Sequence, residues 1–155
     1  LVLEHDGIRW IDDSKATNPH AAQASVMSEL SVVWIAGGLA KGAEMTDLIA
    51  QVGSRLRAAV LIGTDRELIA QELQSKFPNV AIVRVDPKPG HDRSSTENDF
   101  MNQIVTEAKQ LAQQGDAVLL APACASMDQF ISYGDRGDRF AKSVREIVGK
   151  NDIAN

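Results

Sequence analysis

A single cysteine, Cys124, rules out an internal disulfide, so a reducing cytoplasm is the expected setting. No apolar run approaches the roughly 20 residues needed to cross a bilayer, and no signal-peptide pattern opens the chain. No membrane partner is expected. Positive charge is scarce: 16 Lys and Arg against 21 Asp and Glu leave a net charge of −5. That balance argues against a nucleic-acid partner, because neutralising phosphates needs clustered Lys and Arg. It leaves small anionic ligands open, since these answer to local charge. Neither GxxxxGK[ST] nor GxGxxG occurs, so the chain carries no triphosphate cradle of its own. His5, His20 and His91 have no metal-ligand spacing, and no metal site is expected. Nor do they offer Cys124 a partner, so a cysteine nucleophile is not expected.

What is present fits one globular domain over residues 1–155, with 44% hydrophobic and 24% charged residues. The chain opens on Leu1, without a methionine, directly in a strand-like run. A piece of a longer protein is therefore expected, monomeric on its own. Val2 to His5 and Ile8 to Ile11 flank Asp6-Gly7 and predict a β-hairpin. Asn18-Pro19 reads as an N-cap with proline at the first helical position, opening an alanine-rich helix to about Leu30.

After that, short and nearly continuous apolar runs alternate with helical stripes. The runs are Ser31–Ala36, Ala58–Ile62, Val80–Val85 and Ala117–Ala121. Unbroken apolarity suits strands covered on both faces, as in parallel sheets. Met45, Leu48, Ile49, Val52 and Leu56 form one helical stripe. Phe100, Ile104, Ala108 and Leu111 form a second, and Phe140, Val144, Ile147 and Val148 a third. Capping boxes are read at Thr64 with Glu67 and at Thr96 with Asp99, and Gly115 is read as a C-cap. The expected fold is α/β: an open, mostly parallel Rossmann-like sheet with helices on both faces and an N-terminal hairpin.

Ligands of open parallel sheets bind beyond the carboxyl ends of the strands. That rule selects three loops: Asp12 to Asn18, Gly37 to Gly42, and Pro122 to Asp128. They hold Lys15 and Lys41, several hydroxyls and helix N-termini, a set that suits an anion. Each residue also has a plainer reading. Lys41 is a ligand-facing cation or a surface lysine in a strand-to-helix turn. Thr17 is a ligand donor or turn chemistry before the Asn18 cap. Asp13 and Lys15 are ligand contacts or solvated loop charges. Ser126 forms a capping box with Gln129, and Tyr133 is a core aromatic or a lid over a pocket.

Taken together, Asp13–Asn18 (DSKATN), the turn GGLAKG and Ala121–Phe130 (APACASMDQF) resemble the Mur ligase family, in its D-glutamate-adding branch. The resemblance spans essentially the whole chain, with motifs in the family's order. It implies the last domain of a three-domain, ATP-dependent ligase that joins D-glutamate to UDP-N-acetylmuramoyl-L-alanine in peptidoglycan synthesis. ATP and magnesium are then held mainly by a central domain outside this sequence, and no catalytic residue lies here. Carried onto matching positions, Thr17, Lys41 and Ser126 bind the D-glutamate carboxylates. Met127, where the family usually has leucine, contributes its backbone. Tyr133, where phenylalanine is common, lines the amino-acid pocket. Asp13 holds the ATP ribose, and Lys15 stands near the reacting phosphate or the side-chain carboxylate. Leu39-Ala40 departs from the family, which commonly carries an aspartate two residues before the lysine. The rivals are a non-catalytic metabolite-binding module with the same sheet, and the last domain of a ligase for another amino acid.

Overall fold

The computed structural model describes residues 1–149. Strands β1 (Leu3–His5) and β2 (Ile8–Asp12) pair antiparallel, with His5 opposite Ile8. Asp6 and Gly7 both take positive φ, 52° and 75°, the geometry a two-residue turn needs to match strand twist. Four further strands follow: β3 (Val32–Gly37), β4 (Leu56–Ile62), β5 (Ala81–Arg84) and β6 (Ala117–Leu120). The sheet order is β1-β2-β6-β3-β4-β5, with every pair parallel except the hairpin. All the strands begin and end within two residues of the sequence expectation. Among the described residues, no helix is long and apolar enough to cross a membrane.

Helices α1 (Pro19–Met27), α2 (Thr46–Val52) and α3 (Glu67–Lys76) bury Val26, Ile49 and Leu73 against one face of the sheet. Helices α4 (Asp99–Leu111) and α5 (Tyr133–Val144) bury Phe100, Ile104 and Phe140 against the other. Strand β3 is therefore buried along its whole length, which is why its sequence shows no polar alternation. The open, doubly covered sheet expected from the sequence is the fold observed.

Helix ends depart from the expectation more than strands do. Asn18 does cap α1, accepting from the Ala21 N–H at 2.9 Å with Pro19 behind it, but the helix stops at Met27. Neither capping box forms. Arg66 and Asn98 occupy the cap positions of α3 and α4 without a side-chain cap bond. Thr64 is drawn instead to Asp128, and Thr96 lies outside the α4 cap. Leu56 does not continue α2. A short 3-10 turn, Gly53–Arg55, intervenes and Leu56 opens β4. Helix α4 ends at Leu111 with Ala112 extended, so Gly115 (φ 96°) serves the turn into β6 and not the helix end.

At the amino edge of the sheet, Asp116 ties three segments together. Its buried carboxylate accepts from Ser31 Oγ (2.6 Å), Arg57 Nε (2.6 Å) and the Gln113 N–H (2.8 Å). Burial pushes its pKa up, but the bonds from Arg57, Ser31 and Gln113 together outweigh burial and hold it below the usual aspartate value. A depressed folded pKa adds stability above the unfolded value of about 3.9, and that stability drains away as pH falls through the folded value. Asp116→Asn is expected to cost about 1.5 kcal/mol at pH 7 in urea unfolding, with the gap to wild type closing in acid. An equal gap at pH 3 and pH 7 would show that the charge is irrelevant.

Candidate functional site

Strands β2, β6 and β3 are adjacent, parallel and level: Asp12 faces Leu120, which in turn faces Ile35. With strands about 4.8 Å apart, the loops that leave them start within about 10 Å of one another. The chain leaves β2 and β3 toward one face, through α1 and α2, and leaves β6 toward the other, through α5. Crevices at such reversals are where open α/β sheets take ligands.

Backbone bonds lock the three loops together. The Ala123 N–H donates to the Ala16 carbonyl at 2.9 Å, and the Gly37 N–H donates to the Pro122 carbonyl at 2.9 Å. Leu39 and Ala125 exchange a reciprocal pair at 3.0 and 2.8 Å. Gly38 has φ 135°, and a Cβ there would sit 2.2 Å from the Ala125 oxygen, so only glycine lets these turns meet. Beneath them lies Arg136, fully buried on α5. Its guanidinium donates to the Ser14 hydroxyl (2.8 Å), the Ser14 carbonyl (2.7 Å) and the Cys124 carbonyl (3.2 Å). Burial pulls its pKa down to about 10, which still leaves it charged at neutral pH.

Thr17, Lys41 and Ser126, spread over more than a hundred residues of sequence, thus stand on loops fixed to one another at one edge. Lys41 is exposed in a left-handed turn (φ 52°) and, among the described residues, forms no ion pair. Lys15 is likewise exposed and unpaired among them. Ser126 is 4% exposed, and its hydroxyl takes no protein partner among the described residues. Its expected capping box with Gln129 is absent: residues 126–130 form a turn, and the Gln129 and Phe130 N–H groups bond the Ser126 carbonyl instead. The true cap of α5 is Ser132, accepting from the Asp135 N–H. The Ser126 hydroxyl is thus not spent on a helix cap.

Tyr133 is 55% exposed, so the core reading fails. It lines a shallow cleft of about 280 Å³ with Asp13 and Lys15. Thr17, Lys41 and Ser126 do not line that cleft, so this domain by itself does not enclose all the expected site residues. Met127 is 53% exposed at the tip of the third loop. Its carbonyl is taken by Arg93, while His91 Nε2 approaches the Gln129 carbonyl at 3.3 Å, so the polar loop after β5 folds back over this turn. Cys124 is buried, and burial pushes its pKa up to about 12, which leaves an unreactive thiol.

Sequence reasoning missed the tasks of Arg136, Asp65 and Asp128, and gave Thr64 a helix cap that it does not form. Arg136 left a signal: it precedes Phe140 and Val144 by four and eight residues, so it stands in their apolar stripe. The others left none, because their partners lie far away in sequence.

The family model described as "Mur ligase, glutamate ligase domain" matches residues 1–124. A UDP-N-acetylmuramoylalanine–D-glutamate ligase from Streptomyces coelicolor is 52% identical over 146 residues, covering 94% of this chain and 29% of that protein. Its counterpart from Thermobifida fusca is 49% identical over 148 residues, covering 96% of this chain and 30% of its own length. The one from Mycobacterium tuberculosis is 44% identical over 172 residues, covering 96% and 34%. The chain therefore spans about a third or less of the curated relatives it matches. Its three sheet-edge loops, the family match across most of its length and this level of identity place it plainly: the chain belongs to the Mur ligase family and carries its glutamate ligase domain.

Proposed function

We propose that this domain binds the incoming D-glutamate, and closes over the nucleotide, in an ATP-dependent ligase that extends UDP-N-acetylmuramoyl-L-alanine during peptidoglycan synthesis in the cytoplasm. One observation carries the reading. The Lys41 ammonium and the Ser126 and Thr17 hydroxyls are uncommitted among the described residues, on loops held rigidly at one sheet edge. A dicarboxylate needs charge-assisted hydrogen bonds for orientation, and an ammonium flanked by hydroxyls supplies them. The N–H of Met127 is also without a protein partner among the described residues and adds a backbone donor. Tyr133, Lys15 and Asp13 line one cleft beside these loops, and in this reading Asp13 takes ribose hydroxyls.

A carboxylate oxygen of the L-alanine residue takes the terminal phosphoryl group of ATP, giving an acyl phosphate and releasing ADP. The D-glutamate nitrogen attacks that carbonyl carbon, phosphate leaves, and the nitrogen loses a proton. Holding the amine in line with the carbonyl is an entropic contribution, and closure excludes the water that would hydrolyse the acyl phosphate. No residue of this domain acts as nucleophile. The sequence has no P-loop to hold the ATP phosphates and the magnesium that accompanies them. We accordingly place magnesium and the ATP phosphates on the rest of the enzyme.

The test is phosphate release by the full-length enzyme, expected with D-glutamate and not with L-glutamate, L-alanine or meso-diaminopimelate. Release with another of these but not with D-glutamate ends the specificity claim. The isolated domain is expected to show no turnover and only weak calorimetric binding of D-glutamate, because part of the pocket forms on closure. Micromolar binding to the domain alone would contradict that account.

A further inference from the structure

The turn after β4 lies outside the three loops singled out in the sequence, yet it reaches both loops on which Lys41 and Ser126 stand. Asp65 Oδ2 accepts from the Ala40 N–H at 2.8 Å, and the Asp65 N–H donates to the Gly38 carbonyl at 2.9 Å. Both bonds fall on the turn whose next residue is Lys41. One residue earlier, the Thr64 N–H and Oγ1 donate to Asp128 Oδ2 at 3.0 and 3.2 Å, two positions beyond Ser126. Gly63 lets the turns touch: a Cβ there would lie 2.4 Å from the Gly38 Cα and N atoms.

Lys41 holds a left-handed backbone, which a lysine does not adopt without restraint. The Ala43 N–H closes this turn locally on the Ala40 carbonyl at 3.0 Å, and the carboxylate of Asp65, from a different strand's loop, anchors the turn's first residue through a charge-assisted bond from the Ala40 N–H. Asp65 is half-buried, and among the described residues it forms no ion pair, so its bond to this turn is its visible task. We propose that Asp65 is a positioning residue for Lys41: it fixes the turn that aims the ammonium at the substrate carboxylate. The inference rests on the reading of Lys41 given under Proposed function.

The experiment is a double-mutant cycle in the full-length enzyme, with Lys41→Ala, Asp65→Ala and the pair. Asp65→Ala is expected to raise the D-glutamate KM about tenfold while kcat and the ATP KM stay within about twofold. Asp65→Asn, which keeps an acceptor for the Ala40 N–H, is expected to restore most of the wild-type KM. In the pair, loss of Asp65 should add nothing to the effect of Lys41→Ala. An additive pair, or an unchanged KM in Asp65→Ala while Lys41→Ala raises it, overturns the proposal alone. An unchanged KM in Lys41→Ala overturns the site reading and this proposal with it. Should Asp65→Ala not fold, Asp65→Gln displaces the acceptor by one methylene and is expected to raise the KM about fivefold; no change there is equally fatal.

Discussion

Arg136→Met is expected to destabilise the domain by about 3 kcal/mol in urea unfolding, the largest loss foreseen for a single side chain outside the apolar core. Two opposing effects set that number. Removing a buried guanidinium relieves its desolvation, which is worth roughly 3 kcal/mol for a pKa drawn down to about 10. It also leaves two carbonyls unpaired and takes one bond from the Ser14 hydroxyl, which keeps its bond to the Tyr133 carbonyl; each lost charge-assisted bond is worth about 2 kcal/mol. The bonds win. Arg136→Lys should recover little, because one ammonium cannot serve three acceptors laid out for a planar fork. The loss has a second readout. Arg136 joins the loop after β2 to the loop after β6, so a full-length variant that still folds should show a raised KM for D-glutamate. A change below about 1 kcal/mol with unaltered kinetics would take Arg136 out of this role.

Lys41→Ala in the full-length enzyme is expected to raise the D-glutamate KM about 30-fold, the equivalent of about 2 kcal/mol for a lost charge-assisted bond. Stability should not move, since Lys41 is exposed and unpaired among the described residues. Lys41→Gly sharpens the test. It removes the same ammonium but suits the left-handed backbone, so an equal rise in KM with no loss of stability separates binding from folding. An unchanged KM in both variants would remove Lys41 from the substrate site.

Much of the fold was legible because its determinants are local or periodic. The Asp6-Gly7 turn, the Asn18-Pro19 helix start and the unbroken apolarity of β3, β4 and β6 each state their structure within a few residues. The failures share one cause. Thr64, Ser126 and Gly115 were given capping tasks by pattern, and competing partners overrode all three: distant Asp128 claims Thr64, the local 126–130 turn bonds the Ser126 carbonyl, and the Gly7 carbonyl accepts the Gly115 N–H. A capping bond worth about 1 kcal/mol yields readily to a competing partner. Of the two readings open for Tyr133 the core one fails, because aromatic character favours burial but cannot say that a helix begins at a rim.

By itself the sequence determined the layer order, the parallel sheet and the loops that carry the polar groups, since hydrophobic period and turn chemistry act over short stretches. Only the tertiary structure decided which polar groups are committed and which remain free. Arg136, Asp65 and Asp128 find their partners across 12 to 122 positions of chain. Contacts at that separation leave no periodic trace; they exist because the sheet brings β2, β3, β4 and β6 to one edge, where a buried charge or an unpaired N–H must be satisfied by whatever the fold has placed beside it.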